Sequence, residues 1–344
     1  MATTEDHFAG VVDEAWLAQR QEEILEPALP IIDPHHHLWT RPNNVYLFPE
    51  LLADVNSGHN IRATVFEECH SMYRAEGPKE LRSLGETEFV TGVAAMSASG
   101  SFGPARVCAG IVGNVDLMLG ERAQPVFEAH LAASGGRFRA IRYSTAWHAD
   151  SRVHGAVDRP RLLEDARLRE GFKCLARLGL AFDAWVFHPQ LDEVVALATA
   201  FPDTAIVLNH FGGPVLGGPN AGRDEEVVDQ WRAAITKVGA CENVYLKLGA
   251  LPVRRAKPVS GRPLPLSSEE IAAGWHPFFD FALEKFGARR CMFESNFPVQ
   301  KRWSSYAVVW NACKRLATGA SADEKAALFS GTAARAYRLP PTLV

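Results

Sequence analysis

Eight short strand-like runs recur along the sequence, and nearly all of them are separated by a segment with helical periodicity. The runs are residues 31–37, 62–68, 107–117, 137–144, 180–187, 205–211, 244–251 and 290–297. Strands that alternate with helices are typical of a parallel sheet covered on both faces. Eight such units predict a (β/α)8 TIM barrel, with an open doubly wound α/β sheet as the alternative.

Polar side chains favour the barrel, because they cluster at or near the carboxyl ends of these runs, where barrel enzymes build their sites. They are His37, Glu68, Arg142, His188, His210, Lys247 and Asn296. Scattered polar residues would not be sorted to one end of their strands.

The chain of 344 residues fits one such barrel over residues 30–344, preceded by an N-terminal helical extension over residues 1–29. Residues 11–28 mix acidic and apolar positions at helical spacing, and Pro27 and Pro30 would end that helix. Residues 252–267 carry four basic side chains among prolines and glycine without periodicity, which makes them a candidate flap.

Charge and composition exclude several classes of function. A net charge of −4 and a pI near 6.3 argue against a nucleic-acid partner. The first residues have neither a basic start nor an apolar core, and no apolar stretch is long enough for a bilayer, so we expect a cytoplasmic protein. The six cysteines include no CxxC pair, so no disulfide framework or cysteine zinc site is indicated.

The run IIDPHHHLW at 31–39 is the strongest chemical signal. Alternate side chains of a strand share a face, so His35 and His37 would point one way and His36 the other. Two imidazoles on one strand are suited to a divalent metal ion. A histidine-rich turn without a metal is the plainer interpretation.

These segments resemble the amidohydrolase superfamily, in the branch that contains metal-dependent lactonases and the related decarboxylases. The resemblance extends from Pro30 to Leu339. Its motifs are DPHHHLW at 33–39, AIRYSTAW at 140–147, FHPQL at 187–191, LNHFGGP at 208–214, YLKLGAL at 245–251, MFESNFPV at 292–299 and GTAARAYRL at 331–339.

The resemblance implies a divalent ion, zinc or else manganese, on His35, His37 and His188. It also implies that His210 polarises the substrate or activates water. The sequence departs from the family at the end of the eighth strand, where members carry an aspartate and this chain has Asn296. An amide cannot take a proton at neutral pH, so the base must lie elsewhere or the mechanism differs.

His210 is the first choice for that base, Glu68 the second and His70 the third. Glu294 is less favoured, because it would lie deeper in the barrel, where a carboxylate needs a partner. Two further cations, Arg142 and Lys247, could grip a substrate carboxylate or instead form an internal ion pair with Glu68. His148 lies on a long loop and could touch substrate, whereas His36, His154 and His276 are expected to be structural or solvated.

These observations predict a metal-dependent hydrolase of a small carboxylated or sugar-like lactone or ester. One alternative is a non-oxidative decarboxylase of a hydroxy-aromatic or muconate-type acid, which needs no attacking water and which the missing aspartate favours. A second is a binding protein that kept the pocket and lost turnover. The partner is a small molecule in each case, and the sequence is compatible with a homodimer.

Overall fold

The computed structural model describes residues 12–251 and 263–344, and the sheet within them is an all-parallel barrel. The expectations for residues 1–11 and for the part of the candidate flap at 252–262 lie outside the described residues. The barrel strands are β1 Pro30–His36, β2 Asn60–Glu67, β3 Arg106–Gly113, β4 Phe138–Arg142, β5 Ala181–Ala184, β6 Ile206–Leu208, β7 Val244–Leu248 and β8 Cys291–Phe293.

Neighbours in the sheet follow the order of the chain, and the end of β8 returns to β1. His36 forms a parallel bridge with Phe297, the His37 N–H donates to the Phe297 carbonyl (2.7 Å), and the Asn296 N–H donates to the His35 carbonyl (2.9 Å). This closure confirms the TIM barrel and excludes the open sheet.

Helices cover the outside of the barrel. They are α1 Glu14–Leu17, α2 Phe48–Val55, α3 Leu84–Ala98, α4 Gln124–Ala133, α5 Ala166–Leu178, α6 Leu191–Ala200, α7 Asp224–Gly239, α8 Ser268–Phe286, α9 Tyr306–Leu316, α10 Ala322–Ala326 and α11 Thr332–Ala336. A short antiparallel ribbon of Trp39–Arg41 and Asn44–Tyr46 follows β1. Helix α3 shows little amphipathic periodicity, because small and apolar residues lie on most of its faces.

A buried carboxylate joins β1 to the segment after β8. Asp33 accepts hydrogen bonds from the Ser295 hydroxyl (2.6 Å), the Tyr306 hydroxyl (2.9 Å) and the backbone N–H groups of His35 and Ser295. Its side chain is fully buried, and that burial raises its pKa to about 6. The contacts fix the positions of the two segments that carry His35 and Asn296.

The barrel interior is apolar at its amino-terminal end. Ile32, Val65, Val112, Val207 and Met292 pack there against Tyr337 and Leu339 at the end of the chain. The Tyr337 hydroxyl donates to Asp183 (2.7 Å), which begins the polar layer above. The polar side chains therefore occupy the carboxyl half of the barrel.

The N-terminal segment corrects one expectation, because only residues 14–17 of the expected helix are helical. Beyond them the backbone is held by side chains of α9. Asn311 accepts from the Leu25 N–H (2.9 Å) and donates to the Glu23 carbonyl (2.8 Å), and the Lys314 ammonium donates to the carbonyls of Leu25 and Glu26. These tertiary contacts replace the hydrogen bonds of a helix.

Among the residues that the structure describes, no helix is both long enough and apolar enough to cross a bilayer.

Candidate active site

A cavity of about 550 Å³ lies over the carboxyl ends of the strands. Its polar lining consists of His37, Arg41, Glu68, His70, Arg142, Ser144, His210, Asn296, Gln300 and Arg302. Trp39, Trp185, Phe187 and Trp303 form much of its wall. The size and the mixture of aromatic walls and polar groups suit a small organic molecule.

Three imidazoles meet at the floor of this cavity. The ring centroid of His35 lies 5.0 Å from that of His37 and 4.8 Å from that of His210. His37 and His210 line the cavity, and His35 lies fully buried beside them. His36 faces the opposite way, with its Nε2 atom 2.8 Å from the Thr64 hydroxyl, as strand alternation predicts.

Glu294 links two of these rings. One carboxylate oxygen lies 2.8 Å from His35 Nδ1, and the other lies 2.7 Å from His210 Nδ1. Among the described residues, His35, His210 and Glu294 form the group whose ligand atoms all lie within 4.8 Å of one another. The oxygen beside His210 is hydrogen-bonded, whereas the oxygen beside His35 has no hydrogen-bond partner in the described part of the chain, and Glu294 belongs to the site.

His37 is oriented by the backbone. Its Nδ1 atom lies 2.9 Å from the Glu67 carbonyl, which can only accept a hydrogen bond. The proton therefore sits on Nδ1 and leaves the Nε2 lone pair available. This orientation by a protein acceptor is typical of metal-binding histidines.

A fully buried ionic layer lies beneath the histidines. The Lys247 ammonium contacts Glu67 (2.8 Å), Asp183 (2.7 Å) and His35 Nδ1 (3.2 Å). Its side chain is 0% exposed and does not line the cavity. Lys247 is thus placed as an internal ion-pair partner of Glu67 and Asp183, not of Glu68.

Arg142 reaches the cavity from the side of β4. Its Nε atom donates to Glu68 (2.8 Å), and its Nη1 atom lies 3.5 Å from His35 Nε2. The other Glu68 oxygen lies 3.2 Å from His70 Nε2. Arg142 therefore has both an internal ion pair and access to a bound molecule.

Burial changes the proton affinities of this layer. Desolvation, followed by the charge of Asp183, raises the pKa of Glu67 to about 8. Desolvation is the largest cause that lowers the pKa of His35 well below its ordinary value, and the charges of Lys247 and His210 are the next largest. Desolvation, followed by the charge of Arg142, does the same to His37. Both histidines are therefore neutral near pH 7, as metal ligands must be.

Two predicted residues lie apart from the cluster. In the described structure the His188 ring nitrogens contact the Val215 N–H (3.3 Å) and Gln230 (3.4 Å), so the ring is not directed at His35 and His37. His148 accepts a hydrogen bond from the Asp150 N–H (3.0 Å). Neither residue lines the cavity.

Asn296 lines the cavity at the end of β8, where the family aspartate was expected. Its backbone has φ 53°, in the left-handed region that asparagine tolerates. Within residues 12–251 and 263–344, its side-chain amide makes no hydrogen bond, and the residue is 5% exposed at the cavity wall.

Comparison with known proteins identifies the family. The sequence profile described as amidohydrolase matches residues 32–339. The chain belongs to the amidohydrolase family. A relative of this amidohydrolase, named L-fucono-1,5-lactonase, from Burkholderia multivorans, is 32% identical over 69% of the chain and 73% of its own length.

Two further relatives cover more of this amidohydrolase. The uncharacterized protein y4mH of Sinorhizobium fredii is 31% identical over 90% of this chain and 99% of its own. A crystal structure of an amidohydrolase from Burkholderia multivorans with bound zinc superposes with a TM-score of 0.69. It has 27% identity and covers 90% of this chain and 99% of its own.

The residues of this amidohydrolase fit a divalent ion, as the family implies. Around His35 lie two buried cations, Lys247 and Arg142, and four carboxyl groups, Glu67, Glu68, Asp183 and Glu294. Even with Glu67 protonated, as its raised pKa favours near pH 7, the carboxylates outnumber the cations. Asp183 Oδ1 is buried and has no hydrogen-bond partner in the described part of the chain. A cation would offset this charge, which is costly to bury uncompensated.

Glu294 is the residue of this amidohydrolase that sequence reasoning undervalued. The motif quoted for the family resemblance contains it, two positions before Asn296. Its partner His210 is contributed by a different strand, and sequence periodicity does not show which residues of two strands meet. The absence of the strand-end aspartate was the one signal that could have directed attention to a nearby carboxylate.

Proposed function

We propose that this amidohydrolase is a metal-dependent hydrolase that opens a small lactone. The observation that carries the proposal is the convergence of His35, His37 and His210 at the floor of a cavity of about 550 Å³. The lactonase name of the Burkholderia multivorans relative supports the same class. The cytoplasm and a homodimer remain the expected setting and assembly.

His35, His37 and His210 would hold the ion, in place of the set with His188 that the family resemblance implied. When bound, a divalent ion such as zinc supplies Lewis-acid polarisation of the lactone carbonyl. For His37 and His210 this assignment uses the Nε2 atom, since the Nδ1 atom of each ring is hydrogen-bonded to an oxygen of Glu67 or Glu294.

His70 and Glu68 would accept the proton released when water attacks. His70 Nε2 lies 3.2 Å from the Glu68 carboxylate, and both residues line the cavity within reach of a bound molecule. The Arg142 guanidinium would hold a substrate oxygen or carboxylate. The Asn296 amide would donate a hydrogen bond to the same molecule and hold it over the histidines.

The experiment combines metal analysis with two assays on the purified full-length protein. We expect about one zinc per chain and ring opening of L-fucono-1,5-lactone or a related lactone, followed with a pH indicator. His37→Ala should abolish both, whereas His276→Ala, at a largely exposed helix position, should change neither. Zinc-free protein that hydrolyses lactones at the full rate would contradict the proposal.

A non-oxidative decarboxylase is the second candidate, and the strand-end amide of Asn296 favours it. Loss of carbon dioxide requires no attacking water and therefore no strand-end carboxylate base. Release of carbon dioxide from a hydroxybenzoate, without lactone hydrolysis, would select this candidate. If the purified protein contained no metal and bound a substrate of either class without converting it, the result would indicate a binding protein without turnover.

A further inference from the structure

Glu294 occupies a position that the proposed chemistry does not yet use. Its carboxylate is 0% exposed and reaches the Nδ1 atoms of His35 (2.8 Å) and His210 (2.7 Å). The same oxygen that faces His210 Nδ1 also accepts the His210 backbone N–H at 3.2 Å. One side chain directly after β8 thus contacts a histidine of β1 and a histidine at the end of β6.

The contacts have a consequence for the protons of the rings. A carboxylate oxygen accepts hydrogen bonds, so the bond between Glu294 and His210 Nδ1 places the ring proton on Nδ1 and leaves a lone pair on Nε2. The Glu67 carbonyl imposes the same tautomer on His37. His37 and His210 then present the same type of nitrogen to a cation.

Lys247 competes for one of these nitrogens. Its ammonium lies 3.2 Å from His35 Nδ1 and could donate to it only if His35 carried its proton on Nε2. Its contacts with Asp183 (2.7 Å) and Glu67 (2.8 Å) are shorter, as is the contact of Glu294 with His35. Within the described residues, however, the Glu294 oxygen beside His35 forms no hydrogen bond, so its contact does not set the tautomer of His35.

The surrounding chain leaves room for this carboxylate. A Cβ atom on Gly249, at the end of β7, would lie 2.5 Å from Glu294 Cγ and 2.6 Å from the Glu294 carbonyl oxygen. Residues larger than glycine would push Glu294 from its position. The absence of a side chain on Gly249 therefore provides the space that the Glu294 side chain occupies.

We propose that Glu294 is a positioning residue that holds His210 in the Nδ1–H tautomer and so prepares this ring to bind a divalent cation. The proposal rests on the proposed function, in which His210 is one of the residues that hold the metal. It assigns the site a carboxylate directly after β8 in a chain whose strand-end position is the neutral Asn296.

The first test is the tautomer of His210 in the metal-free, full-length wild-type protein. Nitrogen-15 NMR of the histidine side chains, assigned with His210→Gln, distinguishes a proton on Nδ1 from one on Nε2. We expect Nδ1–H for His210. A proton on Nε2 of this ring would overturn the proposal, whether or not the protein binds metal.

The second test is zinc affinity, measured by competition with a chromophoric chelator and zinc alone as the ligand. Glu294→Gln replaces one acceptor oxygen by a donor, and we expect a 10- to 100-fold loss of affinity, the usual effect of removing such a partner. The control is Glu193→Gln, which removes a buried carboxylate on α6 and should leave affinity unchanged.

The outcomes separate the two ideas. If the wild-type protein binds zinc and the zinc affinity of Glu294→Gln lies within twofold of the wild-type value, the role of Glu294 is overturned and the proposed function stands. If the wild-type protein binds no zinc, the proposed function is contradicted, and the His210 tautomer decides the role of Glu294. If Glu294→Gln does not fold, the His210 tautomer of the wild-type protein decides that role in the same way.

Discussion

Asn296 combines an uncharged side chain with a backbone conformation that few residues tolerate. Its φ of 53° suits asparagine and aspartate better than most residues, so the two can be exchanged here without new backbone strain. The chain therefore carries an amide at a position where a carboxylate would also fit.

Asn296→Asp is expected to raise zinc affinity about tenfold or more, since a carboxylate is a stronger ligand than an amide. Without metal, the extra buried charge should lower the free energy of unfolding by about 1–3 kcal/mol. Chelator competition and urea unfolding measure the two effects. The control Gln300→Glu places the same charge elsewhere on the cavity wall.

If Asn296→Asp and Gln300→Glu raised zinc affinity equally, the added negative charge alone would explain the gain. This result would contradict the placement of Asn296 beside the metal. A sharp rise in lactone hydrolysis in Asn296→Asp would point to a native substrate other than a lactone, because a lactonase would be expected to have retained that carboxylate.

Residue types alone predicted part of this site. Strand alternation correctly set His36 apart from its neighbours, and its ring contacts Thr64 on the outer side of β1. The partners of Lys247 and Glu294 were not predictable, because they come from strands that are distant in sequence. Contact between two side chains depends on register and depth in the barrel, which periodicity does not report.

At the scale of elements, the packing of β7 against β8 decides where Glu294 can lie. The two strands pair in parallel, with Lys247 opposite Met292 and Leu248 opposite Phe293. Gly249 follows directly, and its missing side chain is replaced by the Glu294 side chain. A small residue in one strand thus permits a large polar one in the next.

Gly249→Ala is expected to displace Glu294 and to lower the free energy of unfolding by about 1–3 kcal/mol through overpacking. Zinc affinity should fall with it, although Gly249 itself has no side chain to bind metal. Thermal or urea unfolding and chelator competition give the two readings.

Gly92→Ala provides a matched control, because a Cβ atom at this α3 position would meet no heavy atom within 4 Å. It should raise the free energy of unfolding by about 0.5–1 kcal/mol through helix propensity and leave zinc affinity unchanged. A Gly249→Ala protein with wild-type stability and zinc affinity would contradict the packing argument.

For the molecule as a whole, buried neutral histidines outside the site link stability to acidity. His130 lies between α3 and β4, with Nδ1 2.8 Å from the Thr87 hydroxyl and its ring stacked on Phe138. Burial lowers its pKa to about 4, and burial together with the charge of Lys314 lowers that of His59 to about 4. In the unfolded chain both pKa values return to about 6.5.

Between pH 6.5 and pH 4 the unfolded chain therefore binds protons that the folded chain does not. These two histidines therefore contribute a fall in the free energy of unfolding as the pH is lowered through this range, opposite in sign to the contribution of buried carboxyls such as Asp33 and Glu67. Each such histidine contributes at most about 1.4 kcal/mol per pH unit.

His130→Gln is expected to remove one such contribution and to flatten the dependence of unfolding free energy on pH by about 1 kcal/mol per unit. Urea unfolding at several pH values between 4.5 and 6 measures the slope. His276→Gln, at an exposed position, should keep the wild-type slope. An unchanged slope in His130→Gln would mean that His130 titrates normally in the folded protein.

The sequence by itself determined the barrel, because eight apolar runs alternating with helices can bury their surface in few other ways. It also determined which end of the barrel carries the polar groups and which histidine faces away. Only the tertiary structure decided that His210 and Glu294 lie beside His35, that His188 lies apart from this cluster and that Lys247 is fully buried beneath it. Those outcomes depend on distances between side chains of different strands, which arise only when the barrel closes and brings β8 beside β1.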